Sequence, residues 1–461
     1  VPSLNSQGPT IDLTERIESR NITVVVVGLG WMGLSLAALY AEAGCRVIGV
    51  DVDPRVVEAV NNGVPPISEP GLDVKLRSAV RSGMLKASTN LYESALKGDV
   101  VLIAVPTMID EGKKADYKAL RDVSLEVGKA LKPSVCVIVQ STCAPGVTDK
   151  LVKRILEKQS NLTAGLDFHL AYSPIRAMIG RALKDIQTYP KVVGGVDEKS
   201  LEIASLITAI VSKGGVVKVK DLKTAEAAKI FETVYRDVNI ALANEFAILC
   251  EAMGIDYLEA MKAANTQPYS HLHMPGIGVG GHCLPLYPYL LLTEAFEVGV
   301  QMKLVKHARR INEKMPIHTL NLIIEALRAC GKPLARRRVA VLGIAYRPNV
   351  KEARYSPALE LIKLINRRGG RTTVYDPMYT VQELREMGLE AKPKLKMALE
   401  GADCAVLTVA HEEFKNITPS DFAVHMRMPA AVVDGACVLD AAKVEKAGLV
   451  YRGVGRGVWT K

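Results

Sequence analysis

The sequence predicts two doubly wound α/β domains joined by a long central helix and a helical middle segment. Three observations predict it. A strand–loop–helix–strand pattern opens the chain after residue 22, a second one recurs at 338–377, and between them residues 222–253 carry helical periodicity with no Gly and no Pro. At about 150 residues per domain, 461 residues leave room for about three domains. With 49% hydrophobic, 23% charged and 5% aromatic residues, the composition is that of an ordinary globular chain and excludes a disordered or fibrous one.

In chain order, residues 1–21 are polar and mixed in charge and read as a tail. Thr23–Val27 is a run of strand formers, GLGWMG follows, SLAALYAEAG reads as a helix and RVIGVDVD as a second strand. A helix is expected around Arg55–Asn61, then a loop with Pro65, Pro66 and Pro70, then strands at 100–105 (VVLIAV) and 135–140 (VCVIVQ). Apolar runs alternating with helical patterns point to a buried parallel sheet covered on both faces. The helix Leu222–Met253 is a spine between domains; a Gly- and Pro-rich loop at 275–288 and further helical sequence to about 330 follow. RVAVLGIAYRP, ALELIKLINRRGG and RTTVYDP then repeat the opening architecture. The expected boundaries are a tail at 1–21, a dinucleotide domain at 22–215, a central helical domain at 216–330 and a second α/β domain at 331–461.

The formal net charge is +10, from 59 Lys and Arg against 49 Asp and Glu, and residues 331–461 hold 22 basic and 14 acidic side chains, so +8 falls in the last third. The Arg336, Arg337, Arg338 run fits a solvated linker before a strand; a basic domain facing an acidic ligand is the other reading. The basic excess lacks interleaved aromatics, so nucleic acid is not an expected partner. The eight cysteines, at 45, 136, 143, 250, 283, 330, 404 and 437, form no C-x-x-C pair and no metal-ligand spacing to the eight histidines. No metal is expected, and the thiols are expected to be reduced in a cytoplasmic protein. No apolar run reaches the ~18 residues of a membrane span, and residues 1–22 lack the apolar stretch of a secretory signal.

Gly28, Gly30 and Gly33 have the G-x-G-x-x-G spacing directly after a strand and before a helix, the context that makes this motif specific. Gly28 permits the tight turn, Gly30 lets the backbone approach a pyrophosphate and Gly33 lets helix and strand pack closely. Asp51 ends the second strand, where a carboxylate accepts from a ribose hydroxyl and repels a 2′-phosphate. A Rossmann-type site for NAD rather than NADP is predicted. The second half has no such glycine set and is expected to bind something other than a dinucleotide.

Cys283 lies in PGIGVGGHCLP, residues 275–285, either as a reachable thiol among backbone N–H groups or as a small buried hydrophobe in a sharp turn. Lys229 sits among apolar neighbours of the long helix with Thr233 one turn on; a snorkelling surface lysine is the bland alternative. QSTCAPGVT at 140–148 puts Ser141 and Thr142 at the carboxyl edge of the sheet, the ligand side of doubly wound folds.

These pieces, in this order, resemble the UDP-glucose/GDP-mannose dehydrogenase family over most of residues 22–457. VPT at 105–107, ISEPGL at 67–72, RDVNIALANE at 236–245, Arg354 and the SP pair of KEARYSP, VYDP at 374–377 and YRGVGRG at 451–457 support the resemblance. The GGHC form of the cysteine loop and the RDVNIALANE run look more like the branch that oxidises UDP-N-acetylhexosamines, typically UDP-N-acetylmannosamine, than the UDP-glucose branch. The resemblance implies oxidation of a sugar C6 alcohol to a carboxylate in two hydride transfers to NAD. It implies Cys283 as the nucleophile of a thiohemiacetal and a thioester, Lys229 as the group stabilising the negative oxygen, and Thr142 as a residue that positions water and touches the nicotinamide. It assigns NAD to Gly28, Leu29, Gly30, Trp31, Met32, Gly33, Asp51, Val105, Thr107 and Thr142. The UDP-sugar falls to Arg176, Thr233, Gly280, His282, Tyr346, Arg347 and Arg354. A homodimer through the long helix and a cytoplasmic place in making a uronic acid for polysaccharide or glycan follow from the same resemblance.

The chain departs from the family's pattern in four places. Ile175 in AYSPIRAMIG stands where the family has Glu, Tyr287 in HCLPLYPYL where it has Asp, Thr233 where it has Asn, and Tyr269 where an Arg often reaches a partner's site. Two carboxylates near the chemistry are thus missing, and thioester hydrolysis is expected to be slow unless His282 or another loop supplies the base. An enzyme acting on UDP-glucose or UDP-galactose, and a catalytically silent NAD- and nucleotide-sugar-binding protein, are the alternative readings.

Overall fold

The computed structural model describes residues 13–457. The chain packs as two compact units, one running up to Glu232 and including Tyr289–Val298, the other made of Thr233–Pro288 and the chain from Gly299 onward. Residues 1–12 of the expected tail, and 458–461, lie outside the described residues.

The strands of the first unit are β1 (Thr23–Val27), β2 (Arg46–Val50), β3 (Leu85–Ser88), β4 (Val100–Ile103), a small hairpin of β5 (Met108–Ile109) and β6 (Ala115–Asp116), then β7 (Cys136–Val139), β8 (His169–Tyr172), β9 (Lys191–Gly195) and β10 (Val216–Val219). Eight of them form one sheet in the order β10-β9-β8-β7-β4-β1-β2-β3. Central strands β4 (VVLI) and β7 (CVIV) are buried throughout, as continuous apolar runs in a parallel sheet should be. All neighbours are parallel except β8 and β9, which run antiparallel with Ala171 opposite Gly195 and Tyr172 opposite Gly194. The register Thr23↔Arg46 through Val27↔Val50 sets Asp51 beside the loop that leaves β1. Leu13–Glu18, which lies inside the expected tail, is a short helix. Leu13 and Ile17 are buried in the first core, and Arg16 makes a bidentate pair with Asp99 at 2.8 and 2.6 Å. That partner is 83 residues away, beyond the reach of local composition.

The second unit carries a five-stranded parallel sheet of β11 (Arg338–Leu342), β12 (Arg371–Tyr375), β13 (Cys404–Leu407), β14 (Ala431–Asp434) and β15 (Val450–Gly453), in the order β12-β11-β13-β14-β15. Alternation along β11 sends Val339 and Val341 into one apolar cluster and Ala340 and Leu342 into another, so the sheet is covered on both faces. The second half copies the first down to a strand-end carboxylate. Asp376 follows β12 as Asp51 follows β2, but it is buried and receives Ile344 N at 2.7 Å, Ala345 N at 3.1 Å, Met378 N at 2.8 Å and His411 Nε2 at 3.3 Å. His411 Nδ1 accepts from Asn349 N at 2.9 Å, which leaves the proton on Nε2 for Asp376.

The long helix spans Leu222–Met253, as the periodicity predicts, and Lys303–Ala329 is a second long helix. Within the second unit a buried polar network joins them. Arg309 pairs with Asp237, Asn312 Nδ2 donates to Asp237 O and Oδ1 at 2.9 Å, and Asn244 Nδ2 donates to Asn312 Oδ1 at 2.9 Å. Asn244 Oδ1 accepts from Gly276 N at 2.9 Å, so the network ends on the cysteine loop. No helix among the described residues is long and apolar enough to cross a membrane.

Candidate active site

The loop after β1 is built for close approach. Gly28 has φ of +95° and donates its N–H to Val50 O at 2.7 Å; a Cβ on Gly33 would lie 1.8 Å from Gly28 O. Above Gly30, by contrast, a Cβ would meet nothing within 4 Å, and the helix Trp31–Glu42 begins there with no side-chain cap. Open space over uncapped helix N–H groups suits a pyrophosphate. Leu29 N donates to Asp51 Oδ2 at 2.8 Å and Asp53 N to Oδ1 at 3.0 Å, which aims the carboxylate and leaves lone pairs for a ribose. Trp31 and Met32 are half-buried on the first turn. Ser141 Oγ donates to Val105 O at 2.7 Å, so the loop carrying Thr142 is tied to the VPT loop. Thr142 and Thr107 are both buried, and Thr107 Oγ1 has no hydrogen-bond partner among the described residues. The orphaned hydroxyl, the open glycine and the aimed carboxylate fit NAD.

In the second unit the cysteine loop is held by its backbone. Gly281 N donates to Arg354 O at 3.0 Å, a Cβ on Gly281 would lie 2.8 Å from the Tyr346 ring, and one on Gly280 would lie 2.6 Å from Tyr346 Cβ. Cys283 is half-buried, and its carbonyl accepts from Leu286 N at 3.2 Å and Tyr287 N at 2.8 Å at the turn into the helix Tyr287–Glu297. Cys283 is thus not a fully buried core residue, unlike Cys45, Cys136, Cys143 and Cys404. His282 is hydrogen-bonded to Cys283. Burial alone would lower its pKa, but that bond and the sulfur's charge raise it above the ordinary value, while its Nδ1 is buried without a partner. Arg354 grips Glu352 through Nε at 3.0 Å and Nη2 at 2.7 Å, and Arg347 is half-buried nearby in sequence. Burial pushes the Tyr346 hydroxyl up to about 12, so it stays a neutral donor.

Lys229 is 7% exposed and Thr233, one turn on, is fully buried, which rules out the snorkelling alternative. Arg176 Nε pairs with Glu232 at 2.7 Å and its Nη1 donates to Pro190 O at 3.3 Å. Three features escaped the motif reading. Glu226, one turn before Lys229, is buried and accepts from Thr148 N at 2.7 Å and from Gly146 N; burial pushes its pKa up to about 7. Lys191 is 4% exposed at the start of β9, where KVVGG reads as a strand with a charged, solvated first residue. The Asp237–Arg309 pair joins a tract the sequence marks only by resemblance to a residue 72 positions further on.

Sequence comparison covers these regions in three blocks described as the NAD binding domain (residues 22–211), central domain (223–314) and UDP binding domain (340–441) of the UDP-glucose/GDP-mannose dehydrogenase family. A UDP-N-acetyl-D-mannosamine dehydrogenase of Pyrococcus horikoshii is 36% identical over 435 residues, 94% of this chain and 99% of that protein. The chain belongs to the UDP-glucose/GDP-mannose dehydrogenase family. As a member it is an NAD-dependent oxidoreductase acting on a UDP-sugar, and its UDP-binding region falls in the basic last third. The solved UDP-D-ManNAc dehydrogenase of Pyrococcus horikoshii superposes with a TM-score of 0.87 at 35% identity, covering 95% of this chain and 100% of that one. A UDP-glucose dehydrogenase from Pyrobaculum islandicum gives 0.84 at 28% identity, with 94% and 98% covered. The architecture is thus shared by relatives named for different sugars.

Against the family's pattern, Ile175 is buried in the first apolar core, Tyr287 is buried at the start of its helix, and Tyr269 is 93% exposed. Neither Ile175 nor Tyr287 supplies a carboxylate.

Proposed function

We propose that the protein oxidises the C6 hydroxyl of a UDP-N-acetylhexosamine, UDP-N-acetylmannosamine foremost, to the carboxylate. The observation that carries this is the 36% identity across 94% of the chain to a UDP-N-acetyl-D-mannosamine dehydrogenase, joined to a half-buried cysteine in the GGHC loop. NAD, when bound, accepts the hydride in each of the two oxidations. Cys283 Sγ bonds to the C6 aldehyde carbon, the second oxidation leaves a thioester, and water cleaves it. His282 takes the thiol proton in this reading, Lys229 stabilises the oxygen that becomes negative, and Thr142 orders the water and the nicotinamide. Arg176, Thr233, Gly280, Tyr346, Arg347 and Arg354 hold the sugar nucleotide. The long helix supports the homodimer reading. Its Phe231, Tyr235, Leu242, Phe246, Leu249 and Met253 are exposed at helical spacing, an apolar stripe suited to a second copy of the chain. Eight free cysteines support a reducing, cytoplasmic setting.

The test is NADH absorbance with NAD and a panel of UDP-sugars. Two NADH per UDP-N-acetylmannosamine are expected, with kcat/KM at least ~10-fold above UDP-glucose. Cys283→Ala abolishes net acid formation, and Lys229→Ala costs about 2.7–4 kcal/mol of transition-state stabilisation. Preference for UDP-glucose overturns the substrate assignment. Binding of NAD and UDP-sugar without NADH from any sugar establishes the silent binder instead.

A further inference from the structure

The loop that carries Thr142 is clamped along its length by side chains of the first unit. Ser141 Oγ donates to Val105 O at 2.7 Å and Ala144 N donates to the Tyr117 hydroxyl at 3.0 Å. Farther on, Glu226 takes two backbone bonds at once, Gly146 N on Oε2 and Thr148 N on Oε1, the latter at 2.7 Å. Glu226 is 0% exposed and lies on the helix Leu222–Met253 one turn before Lys229, so one stretch of helix fixes both the lysine and the far end of the loop. Glu226, Lys229 and the whole loop belong to the first unit. The chain leaves the clamp as a π-helix over Thr148–Lys153, a rare form of turn concentrated at functional sites.

A buried carboxylate is an expensive choice for this task. Burial raises the pKa of Glu226 from 4.5 to about 7, against the pull of Thr148 and Gly146. What the carboxylate alone offers is two acceptor oxygens. Protonation, or an amide in its place, sets a donor against one of the two N–H groups. The neighbours leave this titration to Glu226. Asp149 adds negative charge from the π-helix, while burial pushes the Cys143 thiol and the Tyr117 hydroxyl upward and keeps both neutral. Lys150 is paired with Glu294, and a Cβ on Gly146 would meet the side chains of Lys150 and Lys223 at 3.4 Å. The ionised form of Glu226 is thus the one that fits the loop, although burial disfavours it.

We propose that Glu226 is a positioning residue of the oxidation: its carboxylate sets the Thr142 loop against the nicotinamide end of NAD, and protonation releases that setting. The proposal rests on the function proposed above, in which Thr142 orders the nicotinamide and the water. Glu226 acts through the backbone of Gly146 and Thr148 rather than by touching a ligand. When it takes up a proton, one oxygen becomes a donor and one of the two N–H groups loses its acceptor. The far end of the loop is then loose, while Ser141 and Ala144 stay tied.

Calorimetric titration of the full chain with NAD, from about pH 6 to about pH 8, tests it on the parent, Glu226→Gln and Glu226→Asp. The ionised fraction rises roughly tenfold across that range, so the parent should bind NAD at least ~5-fold more tightly at the upper end. Glu226→Gln should show no step and keep the parent's acid-side affinity throughout. Glu226→Asp retains two oxygens on one carboxylate and should retain a step. At about pH 8, with NAD and UDP-N-acetylmannosamine both saturating, Glu226→Gln should have a kcat at least ~10-fold below the parent while melting at or above the parent temperature, because it removes a buried charge. A residue that only holds the fold together would give the reverse, a lower melt with an unchanged pH profile. A parent without the step, the same step in Glu226→Gln, or a Glu226→Gln kcat within twofold of the parent overturns the proposal alone. A parent that forms no NADH from any UDP-sugar overturns the functional reading, and the NAD titration still decides the role of Glu226.

Discussion

Asp237→Ala isolates the polar network that fixes the cysteine loop. Asp237 and Arg309 are 0% and 3% exposed, so truncating the aspartate leaves a buried guanidinium with only the longer 3.7 Å ion pair to Glu313 and removes one acceptor of Asn312. Breaking a buried pair from one side costs about 3–5 kcal/mol, whereas replacing both partners with apolar residues is often close to neutral. For a unit of roughly 200 residues, where 1 kcal/mol moves the melting temperature by about 2–4 °C, the single variant should melt roughly 10 °C lower. Asp237→Leu with Arg309→Met should recover more than half of that loss. Circular dichroism melts of the full chain at one scan rate read the stability. Iodoacetamide labelling of Cys283, followed by mass spectrometry, reads the loop, because the network reaches Gly276 through Asn244. Faster labelling at temperatures below the melt is expected. An Asp237→Ala melt within about 2 °C of the parent, or a double variant as unstable as the single one, refutes the role of the buried charge pair.

Three further outcomes follow from the first unit. Gly33→Ala drives a Cβ to within 1.8 Å of Gly28 O, a backbone atom that cannot give way, so NAD affinity by calorimetry should fall at least ~100-fold with about 1–3 kcal/mol of stability; unchanged NAD binding would refute the packing account. The parent should prefer NAD to NADP in kcat/KM, and Asp51→Ser should shrink that ratio at least ~10-fold, about 1.4 kcal/mol; an equal ratio in parent and variant removes Asp51 from cofactor choice. Glu226 has its pKa raised from 4.5 to about 7 by burial, so the folded state holds the proton more tightly than the unfolded one. Its contribution, at most about 3 kcal/mol, is present at acid pH and is lost as pH rises through about 7. Glu226→Gln should flatten the melting temperature between about pH 5 and 8, and parallel pH curves for parent and variant would contradict this.

The parts of the fold that obey local rules were legible. The glycine loop, both strand–loop–helix–strand units and the full extent of Leu222–Met253 follow from periodicity and punctuation, because strand and helix periods are properties of neighbouring residues. The helix Leu13–Glu18 was not legible, since its anchor is Asp99, and neither was the Asp237–Arg309 pair, whose members are 72 residues apart. At the site, the roles of the glycines and of Asp51 could be argued from spacing, and geometry then supplied their contacts. Lys229 and Lys191 could not be separated from surface lysines in sequence, because a lysine among apolar neighbours snorkels or sinks according to what packs over it. Arg354 shows the converse: its residue type points to an anionic ligand, yet its fork already grips Glu352.

The two strand-end carboxylates differ in what they leave unfilled. A carboxylate has about four acceptor positions. Asp51 uses two, for Leu29 N and Asp53 N, and the remainder matches a vicinal diol. Asp376, at the same place in the repeated architecture, is saturated by Ile344 N, Ala345 N, Met378 N and the imidazole of His411. Under the proposed function, one half of the molecule reads its ligand with an atom of the scaffold, while the other has turned that atom into mortar and reads with loop side chains such as Arg347. Loop side chains can be exchanged without loosening the turn that Asp376 secures. Sugar-nucleotide range and cofactor choice are in consequence separately mutable traits of one chain, and a change in the first leaves the second where it was.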